Sequence, residues 1–425
     1  MPSVRRADFL MALAYATDLA TGHSRDFALR SCVLGMRIAD VAGLDTELRR
    51  AVWHQALLRY IGCNADSHLL ASAWGDEIAL RTELARTDMG NKADVGAAIA
   101  RALTRKFADL PADALAEAIA QGLSQAPKIN IPILSGHCEV AQRIAERIGL
   151  PDEIRENLGQ LYERWDGKGM PHGVAGEAVK LPVRIVTLAQ DAIALSEAYG
   201  HEPMKDMIAK RAGGGYEAPL AELFLAHADA LMVGLDQPVD REQILDLEPL
   251  PYAVVSDEGC DDTFLAIADM IDMRMPFTFG HSRAVAALAE AAAARAGLPR
   301  ADVRTARWAA LTHDIGELAV PVATWMRAGK LTERERDAVA LHPYHGERVL
   351  AALGAETGKA VAALVLRHHE RLDGTGYPAR VDSSEIHHWA KICMVADTFD
   401  AMTSERPYRH ALPVDYVLNH CHKKA

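Results

Sequence analysis

The chain has 425 residues, more than one typical hydrophobic core accommodates, so two domains are expected. Half of its residues are apolar but only 6% are aromatic, and Ala and Leu abound, which suits packed helices better than β-branched strands. A net charge of −12 excludes a broad nucleic-acid-binding surface, yet leaves small anionic ligands open, because a metal cluster reverses the local field.

In chain order, the start "MPSVRRADFLMALAYATDLATGHS" has the outline of a signal peptide: Arg5 and Arg6, a short apolar run, then Ala14-Tyr15-Ala16. Asp8 and Asp18 bracket that run, and the stretch is read instead as an amphipathic helix leading to His23. A helical stretch follows in "GHSRDFALRSCVLGMRIADVAGLD" (22–45), and "RAGGGYEAPLAELFLAHADALM" (211–232) reads as a turn and a closing helix. Residues 235–262, acidic and holding three prolines, read as a linker. Beyond it, 3.6-residue periodicity with Gly or Pro stops predicts helices over about 281–296, 301–313, 332–353, 356–371 and 385–404. "GELAVPVATWMRAGK" and "DGTGYPARVDSS" fall in loops, and no pair of segments carries a hairpin signal. The fold class expected is all-α. No apolar run reaches membrane-spanning length, and six scattered cysteines without a C-x-x-C read as reduced thiols of a cytoplasmic protein.

The chain repeats itself. "GHSRDFALRSCVLGMRIADVAGLD" parallels "GHSRAVAALAEAAAARAGLP" (280–299), and "ALLRYIG" (56–62) parallels "ALTHDIG" (310–316). "ERWDGKGMP" (163–171) and "VRIVTLAQDA" (183–192) parallel "ERLDGTGYP" (370–378) and "AKICMVADTF" (390–399) at one shared offset of 207 residues. The copies differ where the chemistry lies. Arg59 and Tyr60 face His313 and Asp314, Leu161 and Tyr162 face His368 and His369, and Gln190 faces Asp397. Only the leading histidine survives, as His23, and a lone histidine is more often a satisfied structural group than a ligand. The expected domains are a degenerate first bundle (1–234) with a structural or sensory role, a linker (235–262) and a metal-binding bundle (263–425). By the repeat's own logic that last bundle lacks closing helices.

Five stations in the second copy carry ligand-type side chains: His281, His313-Asp314, His342, His368-His369 and Asp397. An aspartate inside the apolar helical "CMVADTFDAM" needs a partner. Imidazole with carboxylate suits divalent Fe, Mn or Zn, and no thiolate joins the set. Single histidines such as His345, His387 and His388 are structural on base rates, but five coincident stations, four of them lost together in the other copy, point to metal.

On "FTFGHS", "HDIG", "LHPYHG", "HHERLDGTGYP" and "ADTFDAMTSERPYR", residues 277–410 resemble an HD-GYP domain, a subgroup of the HD-domain phosphohydrolases associated with cyclic di-GMP hydrolysis. The resemblance covers about a third of the chain and implies two tandem HD-type helical bundles, the first degenerate. It also implies a two-metal site, with Fe or Mn favoured over Zn. His281, His313, Asp314 and Asp397 would hold one ion, and Asp314 would bridge to a second held by His342 and His368, with His369 adjacent. Phe277 stands where some members place a glutamate for a third metal. Gly374, Thr375, Gly376, Tyr377 and Pro378 would form the wall near the substrate, although a plain turn explains them equally well. The family follows "HDIG" with a lysine facing the scissile phosphate, where this chain has Glu317. Exchanging that cation for a carboxylate sets it, with Asp314, among the residues governing catalysis.

Three functions follow as expectations. The first is a metal-dependent phosphodiesterase acting on cyclic di-GMP or a related cyclic dinucleotide. The second is a catalytically weak binding or sensory module that uses the HD fold to contact nucleotide or partner proteins; signalling proteins and a second copy of the chain are expected as partners under either reading. The third is redox chemistry at a di-iron centre, disfavoured by the intact "DGTGYP". Neither a membrane nor nucleic acid is expected as a partner.

Overall fold

The computed structural model describes residues 4–24, 26–354 and 356–424. Helices dominate throughout. The strands named among the described residues are Val4–Arg5 and Val254–Val255, two residues each, paired antiparallel with Val4 opposite Val255. The all-α expectation therefore holds.

The chain forms two compact units, Leu13–Ala253 and a second made of residues up to Ala12 together with Val254 onward. The boundary differs from the one composition suggests. Within the expected linker, Arg241–Leu247 is a helix that buries Ile244 and Leu245, and Asp240 starts it with a reciprocal capping box to Gln243. Three prolines and a run of acids hid that short apolar anchor. Asp257–Asp272, likewise inside or beside the expected linker, is the first long helix of the second unit. The opening segment is the helix Arg6–Thr21, largely buried, and no described helix is long and apolar enough to cross a membrane. All six cysteines carry free thiols.

In the second unit the expected helices are present as His281–Arg295, Arg300–Thr312, Glu356–Val365 and His388–Thr403. The long 332–353 helix is instead two pieces, Glu333–Ala340 and His342–Leu350. Pro343 lies in the first turn of the second piece, where its missing N–H costs nothing, and it prevents the first from running on. The break places His342 at a helix start. Val414–Lys424 follows as a last helix.

The first unit keeps the repeat's framework. A Cβ on Gly62 would meet the His137 carbonyl oxygen at 1.9 Å, and one on Gly316 would meet the His342 carbonyl oxygen at the same 1.9 Å. Gly169 and Gly376 likewise sit against the backbone of Glu163 and Glu370. Glu163 accepts from the amides of His172 (2.7 Å) and Gly173 (3.2 Å), and Glu370 accepts from those of Ala379 (2.7 Å) and Arg380 (3.1 Å). Each buried glutamate holds the loop that follows it.

Candidate metal centre

Each ligand-type side chain is delivered by an element end or a helix interior. Asp272 takes the amide of Ser282 (3.0 Å) and its hydroxyl (2.6 Å), which fixes the start of the helix that opens with His281. His313 ends the Arg300–Thr312 helix, and Asp314 leads into a 3-10 turn, Ile315–Ala319. Gly316 lets that turn lie on the start of the His342 helix, an approach any Cβ would block. Arg274, fully buried, donates to the carbonyl oxygens of Glu317 (2.5 Å) and Val320 (2.8 Å) and so clamps the turn.

These elements bring all seven expected ligands together. The carboxylate of Asp314 divides its two oxygens. Oδ2 lies 3.1 Å from His313 Nε2 and 3.6 Å from His281 Nε2, while Oδ1 lies 3.5 Å from both His342 Nε2 and His368 Nε2. Asp397 Oδ1 lies 3.4 Å from His281 Nε2 and 3.7 Å from His313 Nε2. Two groups therefore have donor atoms close enough to share a cation: His281, His313 and Asp397, and Asp314, His342, His368 and His369.

The histidines are oriented from behind. The Nδ1 atoms of His313, His342 and His368 lie 2.8, 2.7 and 2.6 Å from the carbonyl oxygens of Ala310, Val339 and Val365. A carbonyl only accepts, so Nδ1 carries the proton and the Nε2 lone pair faces the cluster. His342 Nε2 and His368 Nε2 then meet at 3.0 Å with neither able to donate in the neutral form, while His313 Nε2 faces the carboxylates of Asp314 and Asp397. Convergent lone pairs of this kind call for a shared cation, so the residues present fit divalent metal. Asp400, which sequence reasoning missed, accepts from His281 Nδ1 at 2.6 Å. Its signal was present: it follows Asp397 by three residues, one helical turn, in "ADTFDAM".

Protonation sorts the same way. Burial opposes charge on Asp314 and Asp397, but the imidazoles around them hold both well below the usual carboxylate range. Burial also opposes charge on His281 and His313, yet the facing carboxylates raise the first well above its ordinary value and the second to about 10. His368 and His369 are lowered, first by burial and then by neighbouring imidazoles. Burial, then the Asp314 charge, pushes the Glu317 carboxyl well above its ordinary value. Glu317 belongs to neither metal-capable group among the described residues.

The expected loop reaches the site through one residue. The Tyr377 ring lies 4.8 Å from that of His369 and 6.2 Å from that of His342. Gly374 takes a positive φ of 71°, the exposed Thr375 donates its amide to the Asp373 carboxylate (3.1 Å), Gly376 packs on the Glu370 backbone, and the Tyr377–Pro378 peptide is cis. His345, His387 and His388 join neither cluster.

The first unit contradicts one expectation in part. His23 is not its only surviving histidine, because His137 occupies the place of His342, with its carbonyl against Gly62. Its Nδ1 pairs with the Tyr162 hydroxyl at 3.0 Å, while Tyr162 stands where the second unit has His369. His23 stacks on Phe27 at 3.8 Å and is lowered to about 3, by burial and then by Arg86, Arg30 and Arg59. No metal-capable group forms around either among the described residues. His201, Glu202 and Asp229 do cluster on the surface, but the Lys205 ammonium pairs with both acids at 2.6 and 3.2 Å and supplies the cation itself.

The profile of the HD domain matches residues 77–211 and 266–425. A 3'3'-cGAMP-specific phosphodiesterase of Vibrio cholerae is 27% identical over 420 residues, covering 97% of this chain and 89% of the relative. A cyclic di-GMP phosphodiesterase of Pseudomonas aeruginosa is 43% identical over 133 residues, 31% of this chain and 32% of the relative. The crystal structure of a cyclic GMP-AMP-specific phosphodiesterase of Vibrio cholerae shares the fold, with a TM-score of 0.65 and 23% identity over 100% of this chain and 94% of that one.

Proposed function

The chain belongs to the HD domain family, and on that footing we propose that its second unit is a metal-dependent phosphodiesterase that hydrolyses cyclic di-GMP or a related cyclic dinucleotide such as 3'3'-cGAMP. The observation that carries the reading is the division of the Asp314 carboxylate between two histidine groups, which suits a ligand shared by two ions. His281, His313 and Asp397 would hold one, His342, His368 and His369 the other; imidazole with carboxylate suits Fe, Mn or Zn, and the family resemblance favours Fe or Mn. Divalent cations, once bound, supply positive charge to the phosphodiester oxygens and an acidified water as nucleophile.

The chain's own residues do the rest. Backbone carbonyls behind His313, His342 and His368 and the carboxylate of Asp400 hold the Nε2 atoms inward, so little reorganisation accompanies loading. Loading displaces the protons that His281 and His313 hold, so affinity rises with pH. Tyr377, beside His369, forms one wall for the substrate together with the Gly374–Pro378 turn. Glu317 sits where a cation would assist the phosphate, which moderates turnover and supports a slow, sensing enzyme as the second reading.

Bound metal and cyclic di-GMP turnover, measured on the same preparation, test the proposal. Metal with turnover, both lost in Asp314→Ala, is the expected result. Metal without turnover of any cyclic dinucleotide favours the sensing role, and neither metal nor turnover overturns both.

A further inference from the structure

The first unit differs from the second by more than its lost ligands. His342 comes 26 positions after Gly316, whereas His137 comes 75 after Gly62, although both pairs make the same backbone contact. The extra chain builds the helices Ser67–Trp74, Glu77–Leu84 and Lys92–Lys106, which have a core of their own around Trp74, Leu80, Ile99, Ala102 and Leu103.

Between this insertion and the end of the Leu181–Tyr199 helix lies a basic cleft of about 500 Å3, lined by Thr82, Glu83, Arg86, Arg101, Arg105 and Tyr199 among others. Arg101 and Arg105 stand one helical turn apart and share the single carboxylate of Glu83, Arg105 at 3.2 Å. Arg86 has no acidic partner among the described residues, so three guanidinium groups face one carboxylate in a protein whose net charge is −12. Thr82 and Thr87 donate their hydroxyls to backbone carbonyls, which leaves the arginines as the donors. Tyr199, 52% exposed, ends the helix that bears Gln190. The cleft adjoins the place that corresponds to His281 of the second unit, because Thr82 Oγ1 bonds the Gly22 carbonyl oxygen (3.1 Å) one residue before His23.

We propose that this cleft is a second, non-hydrolytic site that binds a phosphate-bearing nucleotide, with the arginines on the phosphates and the Tyr199 ring under the base. Guanidinium forks match phosphate oxygens bidentately, an exposed aromatic face accepts any base, and the volume lies in the range of small-ligand sites. With Arg59, Tyr60 and Gln190 in place of ligands, no metal is at hand to cleave what binds. The proposal does not depend on the second unit being active.

The test uses the full chain as the Asp314→Ala variant, in chelator, titrated calorimetrically with cyclic di-GMP, linear pGpG and GTP separately. Saturable binding of at least one, weakened tenfold or more in the Arg86→Ala/Arg105→Ala background and restored in part by Arg86→Lys/Arg105→Lys, is the expected result. Tyr199→Ala should weaken the same ligand, and Tyr199→Phe should not. Circular dichroism confirms that each variant is folded. Absence of binding by all three, or binding indifferent to the arginines, overturns the proposal. Arginine-dependent binding in a protein that hydrolyses no cyclic dinucleotide leaves the site standing while the proposed activity falls.

Discussion

Replacing Glu317 with lysine probes the electrostatics of the second unit most directly. The Arg274 clamp holds the Glu317 backbone carbonyl, so the substitution changes the side chain while the turn stays in place. A unit charge about 5 Å from a phosphodiester, at an effective dielectric near 20, is worth roughly 3 kcal/mol. Burial and the Asp314 charge push the Glu317 carboxyl up in the metal-free chain, and where it stays neutral beside bound cations the gain is the attraction alone. That attraction corresponds to a rise in kcat/KM of about 100-fold. An ionised Glu317 would add the relief of repulsion, for about 6 kcal/mol in total. Glu317→Gln separates the cases: it leaves turnover near wild type if the carboxyl is neutral and raises it if the carboxyl is ionised. Cyclic di-GMP hydrolysis followed by chromatography, with metal content determined by mass spectrometry on the same samples, is the assay. Faster turnover of Glu317→Lys at equal metal content supports the argument. Lower metal content in that variant would refute it, since Glu317 would then be helping to hold the ions.

Three further outcomes follow. Asp314→Ala should strip most bound metal because both groups lose their shared carboxylate, while His23→Ala and His137→Ala should leave metal content unchanged; metal loss in either of the latter would end the division of labour between the units. Asp400→Ala should weaken metal binding by about 10- to 100-fold through the freed His281 ring, with Asp400→Asn closer to wild type, as a competition titration against a chelating dye would report. Gly316→Ala places a methyl 1.9 Å from the His342 carbonyl oxygen and should cost about 1–3 kcal/mol, whereas Gly329→Ala meets open space; equal melting temperatures for the two would contradict the packing argument.

Much of this was legible in the sequence because the ligands are chemically distinctive and the repeat keeps its spacing over the later motifs. All seven candidate ligand positions followed from residue type and the resemblance, and the structure gathers them into two groups that could hold a cation. What escaped has physical causes. His137 was hidden because it stands 205 residues before His342, two short of the 207-residue offset that the later motifs share, so an alignment at that constant spacing does not pair the two. The pairing of Val4–Arg5 with Val254–Val255 joins segments 250 positions apart, which local pattern cannot report. The break at Leu341 was written in Pro343, but the apolar period running through it outweighed that signal.

The two units also separate what holds this fold from what the fold holds. The glycine contact at Gly62 and Gly316, the buried glutamates Glu163 and Glu370, and the close backbone approach of Gly169 and Gly376 are common to both. The ligands are not. A framework that persists with Arg59, Tyr60 and Gln190 at its centre does not need metal to keep its shape, unlike a small zinc domain whose binding free energy is its folding free energy. Chelation should therefore abolish turnover while leaving the melting temperature of the first unit's transition unmoved and lowering that of the second only by the linkage expected for a lost ligand. A collapse of both transitions on chelation, followed by calorimetry, would show that the metals are structural after all.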